Sequence, residues 1–241
     1  MTRAAVDIYE GRDPRAIGIY PLADAARFVR VPVATLRSWC VGRDYFTATG
    51  ERRCEPIIAT ADASSGRVRL SFKNLVEAHV LSVLRDRDVS LDAIRGAVQF
   101  IRKTFGTENP FADVDAKSDR MHVYVEHLGQ LWNASRGGQA AFEPIIARYL
   151  QRIERDENGI AQRLFPFTAD REVEAPRLVV IDPRRRFGRP IIPGGVETWV
   201  IHTRWRAGES TDELAADLEV APAAIEEALR FEDTIRTTRA A

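Results

Sequence analysis

The stretch Tyr20-Pro21-Leu22-Ala23-Asp24-Ala25-Ala26-Arg27-Phe28-Val29-Arg30-Val31-Pro32-Val33-Ala34-Thr35-Leu36-Arg37-Ser38-Trp39 decides the reading of the fold. It predicts two short helices joined by a tight turn, with small residues at their crossing. Pro32 suits the first turn of the second helix, where a missing N–H costs nothing. Leu22, Ala25 and Ala26 can pack on Leu36, and Val33, Leu36 and Cys40 are expected to face inward. Thr35, Arg37 and Ser38 then remain outward. This is the pattern of a helix-turn-helix, whose second helix enters the DNA major groove and meets phosphates and base edges. A helical hairpin in an enzyme core would share the same two helices.

The sequence that follows favours the first reading. Pro56-Ile57-Ile58-Ala59-Thr60 and Arg67-Val68-Arg69-Leu70-Ser71 are expected as strands of a wing, with Asp62-Ala63-Ser64-Ser65-Gly66 as the turn between them. Arg52, Arg53, Arg67, Arg69 and Lys73 flank them. Residues 71–85 carry apolar side chains at helical spacing, and Ser90 opens a further helix, Leu91 to Ile101. In these residues, above all Thr35-Leu36-Arg37-Ser38-Trp39, Val68-Arg69, Ser71-Phe72-Lys73-Asn74-Leu75 and 84–95, the segment 20–105 resembles the winged helix-turn-helix domain of the MerR superfamily. The insert from Arg43 to Gly66 is longer than that family's norm.

Charge is balanced overall, with 35 basic and 35 acidic residues, so the bias towards nucleic acid is local. From Tyr20 to Leu75 nine basic residues face five acidic ones, the excess that phosphate contact needs. Lysine is scarce, only Lys73, Lys103 and Lys117, and arginine carries almost all positive charge. The two cysteines, Cys40 and Cys54, form no CxxC pair, and the four histidines lack ligand spacing. No disulfide framework, metal site or cofactor is expected. Without a signal peptide or an apolar run of membrane length, the reading is cytoplasmic.

Between the two ends the sequence carries less chemistry. Met121 to Glu126 alternates as a strand would, pairing with Leu128 to Ala134 across a turn. The glycine-rich Ser135-Arg136-Gly137-Gly138-Gln139 lacks the GKS or GKT ending of a phosphate-binding loop. A helix is expected from Phe142 to Ile153. Glu157-Asn158-Gly159 marks a hairpin turn, and Leu164, Phe165 and Phe167 read as core. Asp113, Asp115, Asp119 and Glu126 could be metal-binding carboxylates of an enzyme. They come with no positioned base or nucleophile, so no catalytic residue is assigned.

After a linker at Val173-Glu174-Ala175-Pro176 comes a compact unit. It consists of a short strand, Leu178 to Ile181, a helix from Val196 to Trp205, a helix opened by the capping box Ser210/Glu213, and a last helix begun by Pro222. From Glu209 to Asp233 nine acids face only Arg230, so phosphates would repel this unit. A docking or dimerisation role, or an ordinary helical domain with a solvated acidic face, suits it better. Ile181-Asp182-Pro183, Phe187-Gly188-Arg189-Pro190-Ile191-Ile192, Gly194-Gly195, Ala207-Gly208-Glu209-Ser210, Glu213-Leu214-Ala215, Ile225 to Leu229 and Phe231-Glu232 resemble the antitoxin-type domain of unknown-function family 433. That family usually has a threonine-arginine-isoleucine-proline-like run after its glycine, and Gly195-Val196-Glu197-Thr198 matches only in part.

With both ends taken together, the chain is similar to VapB-type antitoxins of the longer kind. The resemblance implies a partner, a PIN-type ribonuclease toxin, together with repression of the chain's own promoter by a homodimer on operator DNA. DNA contacts are then expected from Arg27, Arg30, Thr35, Arg37, Ser38, Arg43 and Arg69. Toxin contacts are expected from Arg184, Arg185, Arg186 and Arg189, with Arg136 a weaker candidate. The alternative is a MerR-like regulator with an effector pocket in its middle segment. The expected architecture is mainly α with small β elements. Its parts are an N-terminal extension (1–19), the winged domain (20–105), a middle α+β segment (106–172) and a C-terminal helical domain (173–241).

Overall fold

The computed structural model describes residues 9–47, 50–60, 67–85, 91–113, 122, 126, 129, 139–168 and 176–237. The fold is mainly α with two-stranded sheets, as the sequence predicts. A short strand β1 (Tyr20–Pro21) leads into α1 (Leu22–Phe28) and then α2 (Val33–Val41). α1 ends in a Schellman motif. The Val31 N–H donates to the Ala26 carbonyl at 3.0 Å and the Arg30 N–H to Arg27 at 3.1 Å, with Arg30 left-handed at φ +57°. That turn sets the crossing, and Leu22, Ala25, Ala26, Leu36, Trp39 and Cys40 are all buried in it. Val33 departs from expectation: it is 44% exposed, because Trp39 rather than Val33 fills the inward stripe with Leu36 and Cys40. Pro32 stands just before α2, as its cap.

Gly42 (φ +78°) stops α2, and a Cβ there would lie 2.2 Å from the Cys54 carbonyl. The chain can therefore turn at once into the hairpin β2 (Arg43–Thr47) and β3 (Gly50–Cys54), paired antiparallel from Arg43↔Cys54 to Thr47↔Gly50. This corrects the expected wing strands. Residues 56–60 form no strand: the N–H groups of Ile57 and Ile58 both donate to the Trp39 carbonyl, at 2.7 and 2.9 Å, and their side chains are buried. The apolar run plugs the end of α2. Only Arg69–Leu70 of the second expected strand is extended, as β4, and it pairs with β1 (Tyr20↔Leu70). The expected turn at 62–66 lies outside the described residues.

α3 (Phe72–Arg85) starts where Ser71 and Asn74 exchange side-chain-to-backbone hydrogen bonds, at 3.1 and 3.2 Å. α4 (Leu91–Phe105) pins residues 55–57, which precede β4 and α3, through Arg95 to the Glu55 carbonyl (2.9 Å) and Arg102 to the Ile57 carbonyl (2.7 Å). A one-turn α5 (Pro110–Asp113) points its first N–H groups, from Phe111 and Ala112, at the buried Glu77 carboxyl. The strand expected over 121–126 falls mostly outside the described residues. His122 and Glu126 have helical backbone, as does Gly129 of the expected pairing partner. The 135–138 loop also lies outside. α6 (Gln139–Gln151) and the hairpin β5 (Ile153–Arg155) and β6 (Ala161–Leu164) follow, with Gly159 at φ +76° in the turn. Leu164 and Phe167 are core, whereas Phe165 is half-buried.

The C-terminal unit is α7 (Thr198–Arg206), α8 (Thr211–Asp217) and α9 (Pro222–Thr237). The Ser210/Glu213 capping box is present on α8. Of the expected strand at 178–181, two residues make bridges only, Val180 with Ile191 and Ile181 with Leu164. The second bridge ties this unit to the β5–β6 hairpin. Residues 9–19 are also tied in: the Tyr9 hydroxyl donates to the Pro183 carbonyl at 2.7 Å, and Arg15 pairs with Asp156 at 2.7 Å. One cluster of buried apolar residues runs from Tyr20 through α3 to Phe231. No described helix is long and apolar enough to cross a membrane.

Candidate functional site

α2 and the hairpin present one group of the expected DNA-contact residues. Arg37 is exposed on α2, and Thr35 and Ser38 are half-buried. The Ser38 hydroxyl donates to the Thr35 carbonyl at 2.7 Å, so its proton serves the helix and its lone pairs remain as acceptors. Arg43 is exposed at the base of the hairpin. Beside it Arg53 pairs with Asp44 at 3.2 Å and donates to the Val41 carbonyl at 3.1 Å, which fixes the hairpin to the end of α2. Phe46, near the tip, is 84% exposed. Arg30 lies half-buried in the turn between the helices.

Arg27 and Arg69 are placed elsewhere. Arg27 sits at the end of α1 and pairs with Asp24 (3.4 Å) and, across the chain, with Glu232 of α9 (3.3 Å). Arg69, on β4, reaches the Ile19 carbonyl at 3.4 Å. Both line a cleft of about 400 Å³ whose far wall is Phe187, Gly188, Arg189, Pro190 and Trp199 of the C-terminal unit. The structure therefore splits the expected DNA set in two, and it brings Arg27 and Arg69 to Arg189 of the expected toxin set. The contact between the two units is close. The Phe28 and Phe231 rings lie 6.1 Å apart, and a Cβ on Gly188 would come within 2.1 Å of the Tyr20 hydroxyl.

The remaining arginines of that set sit on the turn before Gly188. Arg184, Arg185, Arg186 and Arg189 are all exposed. Arg186, Phe187 and Gly188 are left-handed in succession, at φ +47°, +53° and +70°, which thrusts the Phe187 ring into solvent. Arg186 donates to the Gly195 carbonyl at 3.2 Å, and the Arg185 guanidinium lies beside the same glycine. Arg189 pairs with Glu197 at 3.2 Å. Sequence reading missed Trp199, Phe187 and Glu232 as cleft residues. Trp199 could have been found: it is a large aromatic on a helix whose inward positions, Thr198, Ile201 and His202, are already filled.

The acids weighed as metal ligands are not assembled. Asp113 is engaged by Lys73 (2.7 Å) and Thr107 (2.7 Å), Glu126 is exposed, and Asp115 and Asp119 lie outside the described residues. Among the described residues no group of three or more His, Cys, Asp or Glu could hold a metal. Cys40 and Cys54 are free thiols, and burial pushes the Cys40 thiol up to about 12.

Residues 18–98 match the family "Putative DNA-binding HTH domain", and residues 179–231 match the family "Protein of unknown function (DUF433)". Over 229 residues the chain is 29% identical to "Putative antitoxin VapB45" of Mycobacterium tuberculosis, covering 88% of this chain and 93% of that protein. It is similar in structure to the X-ray crystal structure of Rv2018 from Mycobacterium tuberculosis, with a TM-score of 0.65 and 26% identity, covering 88% of this chain and 98% of that one. The chain thus joins a helix-turn-helix domain of the DNA-binding type, at its front, to a DUF433 unit near its end.

Proposed function

We propose that this protein is the antitoxin of a type II toxin–antitoxin pair, acting in the cytoplasm without catalytic residues or a cofactor of its own. In this reading it neutralises a PIN-type ribonuclease and represses its own promoter as a homodimer. The observation that carries the reading is the similarity to the VapB45 antitoxin, which spans both the helix-turn-helix and the DUF433 unit. On the DNA side, Arg37 and Arg43 meet phosphate and Thr35 and Ser38 lie nearest the bases, with Arg30 at the turn. Arg27, paired with Glu232, and Arg69, both lining the cleft, are left out of this contact. On the toxin side, an acidic metal-binding active site is blocked by arginine through paired hydrogen bonds to carboxylates. The 184–189 turn offers four exposed guanidiniums for that task. The test is co-expression with the product of the adjacent reading frame, followed by purification through a tag on this chain. A stoichiometric complex, with the neighbour toxic alone, supports the reading; neither complex nor toxicity overturns it. A second reading, a regulator that answers to a small ligand, is favoured by the cleft, which lies between α1 and the arginine turn rather than in the middle segment.

A further inference from the structure

The cleft between α1 and the arginine turn has a chemistry of its own. Its volume, about 400 Å³, lies in the range of small-molecule sites, roughly 300–1,000 Å³. Most of its charge is already paired: Arg27 with Asp24 and Glu232, and Arg189 with Glu197. Arg69 is exposed, and makes no ion pair among the described residues. Among the described residues Arg27 Nε and the Tyr20 hydroxyl are buried without a hydrogen-bond partner, although both residues line the cleft. Leaving such a group unmade costs about 1–3 kcal/mol. The apolar side is equally distinctive. Phe187 is 63% exposed and Trp199 47% exposed, both at the C-terminal wall, while Tyr20 and Phe28 are buried beneath. Two large aromatic faces beside one uncompensated cation suit a flat ring that carries one anionic group.

We propose that this cleft binds a small organic anion with a flat apolar body and a single anionic group, that group on Arg69 and its ring against Trp199 and Phe187. Such a ligand touches the helix-turn-helix on one wall and the arginine turn on the other. It therefore favours whichever arrangement of the two units closes both walls on it, and shifts DNA affinity only as far as that preference differs between arrangements. Calorimetric titration of the full chain tests the site without DNA or toxin, so its failure is separate from that of the antitoxin reading. The probes are indole-3-carboxylate, phenyl phosphate and inorganic phosphate. At least one aryl anion should bind one per chain with a Kd below about 1 mM. Arg69→Gln and Trp199→Ala should each weaken it about tenfold or more, since each removes one half of the recognition. Trp199→Phe should retain binding, and Arg206→Gln, outside the cleft, should leave it unchanged. The tighter aryl anion identifies the carboxylate or the phosphate as the preferred group. The proposal is overturned if neither aryl anion binds saturably. It is also overturned if inorganic phosphate binds as tightly as phenyl phosphate, or if either Arg69→Gln or Trp199→Ala, folded as judged by thermal melting, binds as the parent does.

Discussion

Two single residues show how local chemistry is spent in this chain. Glu219 ends α8 just as Arg30 ends α1, left-handed at φ +53°, with the Val220 N–H on the Ala215 carbonyl at 3.1 Å. Glycine is the usual residue there, because a Cβ costs roughly 1–2 kcal/mol in that conformation. Glu219 is exposed, so Glu219→Gly should raise the unfolding free energy by about 1 kcal/mol in a urea titration; a loss of stability contradicts the assignment. Glu77 is the opposite case, fully buried beneath α5. Burial pushes its carboxyl up to about 8, and nearby Asp113 adds to that; the Phe111 and Ala112 N–H groups and Arg102 pull the other way. A raised folded-state pKa means that the folded chain holds the proton more tightly than the unfolded chain. The stability from this group is present below about 4.5 and is lost as pH rises towards about 8. Between those limits the loss approaches about 1.4 kcal/mol per pH unit. Glu77→Gln, which can still accept the Phe111 N–H, should flatten that slope when unfolding is followed from pH 5 to 8.

At the scale of elements, α2 and the β2–β3 hairpin carry the DNA reading. If Arg37 meets a phosphate, Arg37→Gln should weaken binding similarly across DNA sequences and lower the slope of log affinity against log salt by about 1. Because Arg37 is exposed, the melting temperature should not move; an unchanged slope would remove Arg37 from the interface. The two helices were legible because small and apolar residues recur at helical spacing and the turn leaves little freedom. The C-terminal helices were legible for a similar reason, since Ser210/Glu213 and Pro222 are strong start signals. The hairpin was not. In its strands, Arg-Asp-Tyr-Phe-Thr and Gly-Glu-Arg-Arg-Cys, none of the described side chains is buried: Tyr45 and Cys54 are half-buried and the others exposed, so no apolar alternation marks them. The apolar 57–58 pair drew the strand reading instead, although its backbone serves to cap α2.

The whole molecule adds what no local pattern carries. The front and rear units share the Phe28–Phe231 contact, the Arg27–Glu232 pair and the seat of Tyr20 on Gly188. Arg27 looked like a phosphate ligand because a basic residue at the end of α1 is all that its neighbourhood shows; Glu232 lies 205 residues away. The cleft was hidden for the same reason, since its walls come from opposite ends of the chain. In the proposed antitoxin one chain carries two separable surfaces, α2 with its hairpin for DNA and the 184–189 turn for toxin. The most direct test titrates the partner ribonuclease and promoter DNA against two variants, Arg37→Ala and the double Arg185→Ala/Arg186→Ala. The first should still inhibit the ribonuclease but lose DNA affinity, and the second should bind DNA but fail to inhibit. Full inhibition by the double variant, or loss of both activities in either folded variant, would contradict it.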